Sequence, residues 1–237
     1  MAVDERRTLT ILPAPARALW VVLACIAALL LLHAAAVAAG LRVHDNPYAY
    51  RVIHLDSEVS VGTWFAQVLW LAAAVLLGAI AAYGRRARDR WWRHWAGLAA
   101  LAVYLSIDEG AAVHEQATPV VRRLTGLSGG VFGPAWVLAA AAVGLVLLVV
   151  YFRFLVALPA RTRNLVLLGA AVAVGGAVGA EIVNVIYAGS RGTHSVGYHA
   201  LAGLEEALEK LGLGVVIFAL LDHVRRHVAP FALVVER

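Results

Sequence analysis

Residues 137–150 read VLAAAAVGLVLLVV, a run without one ionisable or hydrogen-bonding side chain. It is too long for a buried strand and lacks the alternation of a half-exposed one, and a helix apolar on every side belongs in a large core or in lipid. The rest of the 237-residue chain chooses lipid. It is 62% hydrophobic and 15% charged, with a mean hydropathy of +0.80. That composition leaves too little polar surface to coat a soluble globule of this size.

A bilayer core about 30 Å thick needs roughly 20 apolar residues per helix. Six segments meet that length: 18–40, 61–83, 95–116, 134–158, 165–187 and 199–222. The ten-residue alternating strands of a membrane β-barrel are missing, and VLACIAALLLL at 22–32 is continuous in the same way as 137–150. The reading is an all-α, polytopic six-helix membrane bundle forming one domain over residues 1–237. The first segment follows Arg6, Arg7 and Arg17 and ends in HAAAVAAG. Its apolar stretch exceeds the roughly 7–15 residues of a signal-peptide core, so it is read as a retained span. Cys25, the only cysteine, excludes an intrachain disulfide or a cysteine-based zinc site.

Short loops rich in arginine stay in the cytoplasm. Arginines 6, 7 and 17, 85, 86, 88, 90 and 93, 153, 161 and 163, and 225, 226 and 237 fall on one side of the six spans. Only arginines 42, 51, 122, 123 and 191 fall on the other, which predicts a multi-pass cell-membrane protein with both termini cytoplasmic. Trp91, Trp92 and Trp95 fit an interfacial belt beside the basic loop at 85–93, where anionic lipid is an expected partner. The net charge of +5 is divided among short loops and forms no continuous basic surface, so nucleic acid is not an expected partner. Oligomeric state is not encoded in any pattern we recognise.

With that orientation, LSIDEGAAVHE at 105–115 puts Asp108, Glu109, His114 and Glu115 in the outer half of the third span. Glu181 and Asn184 lie in the outer third of the fifth, and His199, Glu205, Glu206, Glu209 and Lys210 open the sixth. Acids at a helix centre cost about 2.5–3.5 kcal/mol each in lipid, against about 0.3–0.6 returned by a large apolar residue. The sixth helix therefore needs polar company, which the third and fifth can supply. Gly175 and Gly179 offer a small-residue face for that approach. Asp108 and Glu115, seven apart, share a face, whereas Glu109 and His114 flank it, so either Gly110 permits a local distortion that joins all four or one of the flanking pair serves another partner.

Neutral imidazole beside carboxylate suits a divalent zinc, iron or manganese ion. The candidate ligands are Asp108, Glu109, His114, Glu115, Glu181, His199 and Glu206, with Glu109 or Glu205 as general base. The expected function is a metal-binding membrane protein with an outer-leaflet pocket facing the extracytoplasmic side, and a metal-dependent hydrolase or oxidoreductase as its enzymatic form. A proton- or cation-coupled transporter is the alternative, since intramembrane acids line ion paths. A non-catalytic accessory subunit is the third reading. Neither HExxH nor the Glu-x-x-His of di-iron bundles is present.

Several residues also have plainer readings. Glu206 and Lys210, four apart, suit an intrahelical ion pair, and His114–Glu115 suit a helix end before Pro119. His33 suits a packed or helix-bridging histidine, and His44, His54, Asp56 and Glu58 suit a wet connection between the first two spans.

Overall fold

The computed structural model describes residues 9–10, 13–41, 45–126, 135–228 and 232–233. Arg6, Arg7, Arg42, His44 and Arg237 lie outside the described residues. The described chain is all-α apart from one two-stranded antiparallel ribbon, in which β1 (Leu9–Thr10) pairs with β2 (Ala232–Leu233). The helices are α1 (Pro15–Ala38), the short α2 (Pro47–Ile53), α3 (Val61–Arg86), α4 (Trp92–Ala111) and α5 (Val113–Thr125). They continue with α6 (Trp136–Ala157), α7 (Ala160–Val174), a π-helical turn at Gly175–Ala180, α8 (Glu181–Arg191) and α9 (Val196–His227).

Among the described residues, four helical rods are long and apolar enough to cross a membrane: α1, α3, α6 and the continuous Ala160–Arg191. Two of the six expected spans depart from that simple form. The third does not run straight from 95 to 116, because α4 stops at Ala111 and α5 leaves at 82° to it. The hinge is Ala112, whose φ of 47° and ψ of 44° are left-handed and break the helical ladder. The sixth expected span is a regular 32-residue helix, α9, about 48 Å long at 1.5 Å per residue. Glu205, Glu206, Glu209, Lys210 and Asp222 make it too polar to rank with the apolar four.

The apolar core explains how α9 is held. Leu213, Ile217, Leu220 and Leu221 of α9 are buried with Val22 and Ile26 of α1 and Leu69, Ala73, Leu77 and Ile80 of α3. Trp95 and Ala102 of α4 and Phe154 of α6 complete the cluster. On its other side α9 meets α7 backbone to backbone. A Cβ added at Gly212 would lie 2.4 Å from the Ala173 backbone nitrogen, and one at Gly169 would lie 2.7 Å from the Gly212 carbonyl oxygen. The small-residue face is therefore Gly169, Gly176 and Gly212. Gly175 and Gly179, the expected pair, have nothing within 4 Å of an added Cβ. The π-turn accounts for the difference, since its extra residue per turn rotates the glycines relative to an ideal α-helix.

At the other end of α9, Asp222 accepts hydrogen bonds from Arg161 Nε and Arg226 Nε, both at 2.9 Å. The Thr162 hydroxyl lies 3.1 Å from His223 Nδ1. These pairings fix the start of α7 against the end of α9. By contrast α6 leaves Leu145, Val146 and Val149 more than half exposed, as a helix facing lipid would.

Candidate functional site

Three buried histidines from distant parts of the chain converge where α1, the α2–α3 connection and α9 meet. His33 lies on the last turns of α1, His54 caps the end of α2, and His199 lies on the first turn of α9. Their relative exposures are 4%, 1% and 8%. Ring centroids stand 5.2 Å apart for His33–His54, 5.8 Å for His33–His199 and 5.1 Å for His54–His199. One nitrogen from each ring lies within 4.8 Å of the other two, so the trio is a histidine cluster capable of coordinating a metal ion.

The three rings are not equivalent. His33 Nδ1 accepts the Leu55 backbone N–H at 3.2 Å, which places the ring proton on Nε2, and Nε2 lies 3.0 Å from the His199 carbonyl oxygen as donor. His33 thus ties the residue after His54 to the backbone of His199. Both nitrogens of His54 and Nδ1 of His199 are buried with no hydrogen-bond partner, and so is Oδ1 of Asp56. Buried polar atoms left unpaired cost about 1–3 kcal/mol each. Four of them at one point are an arrangement that awaits a partner.

Asp56 is itself held. Its Oδ2 accepts from the Tyr50 hydroxyl at 3.4 Å, while Oδ1 stands 3.9 Å from His54 Nδ1. The Tyr50 ring stacks on His54 at 4.1 Å between centroids. Burial lowers the pKa of His54, and His33 and His199 push it the same way, against the opposing pull of Asp56 and of the Leu41 backbone. The neutral imidazole this favours is the form that ligates metals. Desolvation, with Asp56 adding to it, pushes the Tyr50 hydroxyl up to about 12, so it remains a hydrogen-bond donor.

Next to the trio lies a cavity of about 440 Å³. Asp56 and Glu58 of the α2–α3 connection stand on its wall. Asp108 and Glu109 of α4, His114 and Glu115 of α5, Glu181 and Asn184 of α8, and Glu205, Glu206 and Glu209 of α9 also line it. Six of the seven expected ligands, Asp108, Glu109, His114, Glu115, Glu181 and Glu206, therefore face one cavity, and the seventh, His199, belongs to the neighbouring trio.

The distortion that joins the third-span residues falls at Ala112 and not at Gly110. Gly110 instead packs tightly against α3, where an added Cβ would meet Gln67 Nε2 at 1.8 Å. Beyond the break, Asp108 Oδ1 accepts the His114 backbone N–H at 2.8 Å, and Asp108 Oδ2 lies 3.0 Å from His114 Nδ1. His114 and Glu115 are consequently no solvated end before a proline. They open α5, which continues through Pro119 to Thr125.

Elsewhere on the wall, Trp136 Nε1 donates to Glu181 Oε1 at 3.3 Å, and Lys210 pairs with Glu206 within α9. Lys210 is 1% exposed, so this ion pair supplies a fully buried countercharge to the acids.

His54 and Asp56, expected in a wet connection, are thus site residues, and His33, expected as a packed or helix-bridging histidine, stands beside them. The bridging role is real, because His33 spans 166 positions to reach His199. The signal that could have joined the three histidines was depth: each falls at or just beyond the helix end on one side of the bundle.

Residues 18–224 match the family described as a domain of unknown function, DUF8692, and the chain belongs to that family. No curated protein and no solved structure matches it.

Proposed function

We propose that this chain is a multi-pass cell-membrane protein that binds a divalent zinc, iron or manganese ion through His54 and His199. Asp56, and His33 if it exchanges its Leu55 bond, complete the ligand set, and the adjoining cavity is the reaction chamber of a metal-dependent hydrolase or oxidoreductase. The observation that carries this reading is the set of unpaired buried ligand atoms on His54, His199 and Asp56, with no cysteine in the cluster. Imidazole with one carboxylate fits these metals by ligand type. Ligation at about 2.0–2.1 Å brings ligand nitrogens to roughly 3.4 Å of one another, so the rings draw inward from their present spacing.

Each surrounding residue then has a task. His33 fixes the backbone on either side of the site, the Tyr50 hydroxyl orients Asp56, and Tyr50 stacking fixes the plane of His54. Glu109 and Glu205 face the cavity and are the general-base candidates. Glu115, Glu181 and Glu206 stand as outer carboxylates that draw cations toward the site. A bound ion supplies Lewis acidity toward a carbonyl or phosphoryl oxygen of substrate.

The orientation proposed is six spans, termini inside and the cavity on the extracytoplasmic side. Its supports are the arginine distribution and the β1–β2 pairing, which keeps Leu9–Thr10 and Ala232–Leu233 on one side of the bundle. A chamber is favoured over a transport path because α9 beyond Glu209 enters the apolar core. Leu213, Ile217, Leu220 and Leu221 are buried there against α1 and α3, and none of them lines the acidic cavity; Ile217 and Leu221 instead line a separate, almost wholly apolar groove with α1 and α3.

Titration of the detergent-solubilised chain with Co(II), followed by visible absorption, tests the ligand set. The expected result is a saturable spectrum of a low-coordinate, histidine-ligated ion that disappears in His54→Ala/His199→Ala. A featureless hexa-aquo spectrum, identical in both proteins, would overturn the assignment.

A further inference from the structure

The cavity beside the histidines poses a problem that a metal on His54 and His199 does not solve. Nine of the chain's fifteen carboxylates line it. Among the described residues the one buried lysine or arginine is Lys210, committed to Glu206, and His114 is already engaged by Asp108. Two further atoms point to an absent ligand. Asn184 is 6% exposed, faces the cavity and has no hydrogen-bond partner for Oδ1, and Oε2 of Glu181 is likewise buried and unpaired.

The arrangement says what kind of cation would satisfy these groups. Among the described residues the histidine trio is the only compact set of three ligand atoms. The cavity carboxylates are spread around its wall, too far apart to close on a single ion. A volume of about 440 Å³ is that of a small-molecule site. Trp136 and Tyr198 contribute aromatic surface to the same wall, which suits methylene segments and ammonium groups alike.

We propose that this cavity binds an extended organic polyamine, whose ammonium groups meet carboxylates on α4, α8 and α9 and whose methylenes lie against Trp136 and Tyr198. Asn184 Oδ1 and Glu181 Oε2 each accept one ammonium hydrogen. Asp56, the one carboxylate of this wall assigned to the metal, is not among the groups that meet the polyamine, and the site stands whether or not the trio holds a metal.

Calorimetric titration of the detergent-solubilised full chain with spermidine tests this, with a neutral diol of similar length and Mg²⁺ as comparison probes. Spermidine is expected to bind at one saturable site per chain and the diol not at all. Glu181→Gln/Glu205→Gln should weaken spermidine by roughly tenfold or more, as expected for lost charge-assisted bonds. Glu58→Gln, on the exposed rim and outside the helices, should weaken it several-fold and serves if the double variant does not fold. His54→Ala/His199→Ala should retain spermidine binding, so loss of the metal site and loss of this site are read separately. Spermidine affinity unchanged in the folded carboxylate variants, or full displacement by Mg²⁺ at matched charge, would overturn the proposal.

Discussion

Asp108 holds His114 at two points across a break in the helix, through the backbone N–H at 2.8 Å and through Nδ1 at 3.0 Å. The first of these satisfies one of the free N–H groups at the start of α5, a task usually performed by a residue immediately before the helix. Asp108→Ala should therefore loosen α5 as a unit and cost about 1–3 kcal/mol. Hydrogen exchange across Val113–Thr125 should speed up while α3 remains protected. Unchanged exchange in α5 would show that the contact does not fix it.

Ala112, between those partners, has a φ of 47°, which is costly for any residue with a Cβ. Ala112→Gly should stabilise the chain by about 1 kcal/mol, seen as a higher Tm in detergent. Ala112→Val should lower the Tm. The opposite order would contradict a left-handed hinge at this position.

Where α7 meets α9, the room for a side chain is gone. Gly212→Ala should cost about 1–3 kcal/mol through overpacking, because the new Cβ meets the Ala173 backbone and not a flexible side chain. Gly179→Ala is the control, with nothing near its added Cβ, and should leave the Tm unchanged.

Glu58 gives the molecule a pH signature. Partial burial, and repulsion from Glu115, Glu109 and Glu206 against the attraction of His114, push its carboxyl up from 4.5 to about 7. The folded chain then holds a proton that the unfolded chain has released. The associated stability is fully present below pH 4.5 and is lost as pH rises through about 7. Thermal unfolding from about pH 5 to about pH 8 should show that decline, and Glu58→Gln should make it shallower. A wild-type profile already flat across this window would contradict the account.

Arginine placement predicts the topology directly. A fluorescent protein fused after Arg237 should mature and fluoresce, and alkaline phosphatase at the same place should be inactive, since one folds in the cytoplasm and the other outside it. Active phosphatase would invert the arrangement and put the cavity on the cytoplasmic side.

Much of this molecule is written in its composition. The apolar runs at 22–32 and 137–150 specify helices long and apolar enough to cross a membrane, and they are α1 and α6. The acids of the third, fifth and sixth segments meet because nothing else in the chain could accompany them, and they line one cavity. Two features were beyond a reading by periodicity. Gly110 points to a break near the hinge, but its seat at Ala112 depends on the contact between Asp108 and His114 across it, which periodicity does not encode. The histidine trio joins positions 33, 54 and 199 through packing of α9 on α1, a tertiary relation with no local spacing to announce it.

The most direct test of the central claim is elemental analysis of the chain purified without added metal or chelator, wild type beside His54→Ala/His199→Ala. The account predicts a stoichiometric divalent transition metal in the wild type and its loss in a variant that remains folded and membrane-extracted. Equal, near-zero metal in both would contradict it, and would leave the unpaired nitrogens of His54 and His199 to ordered water.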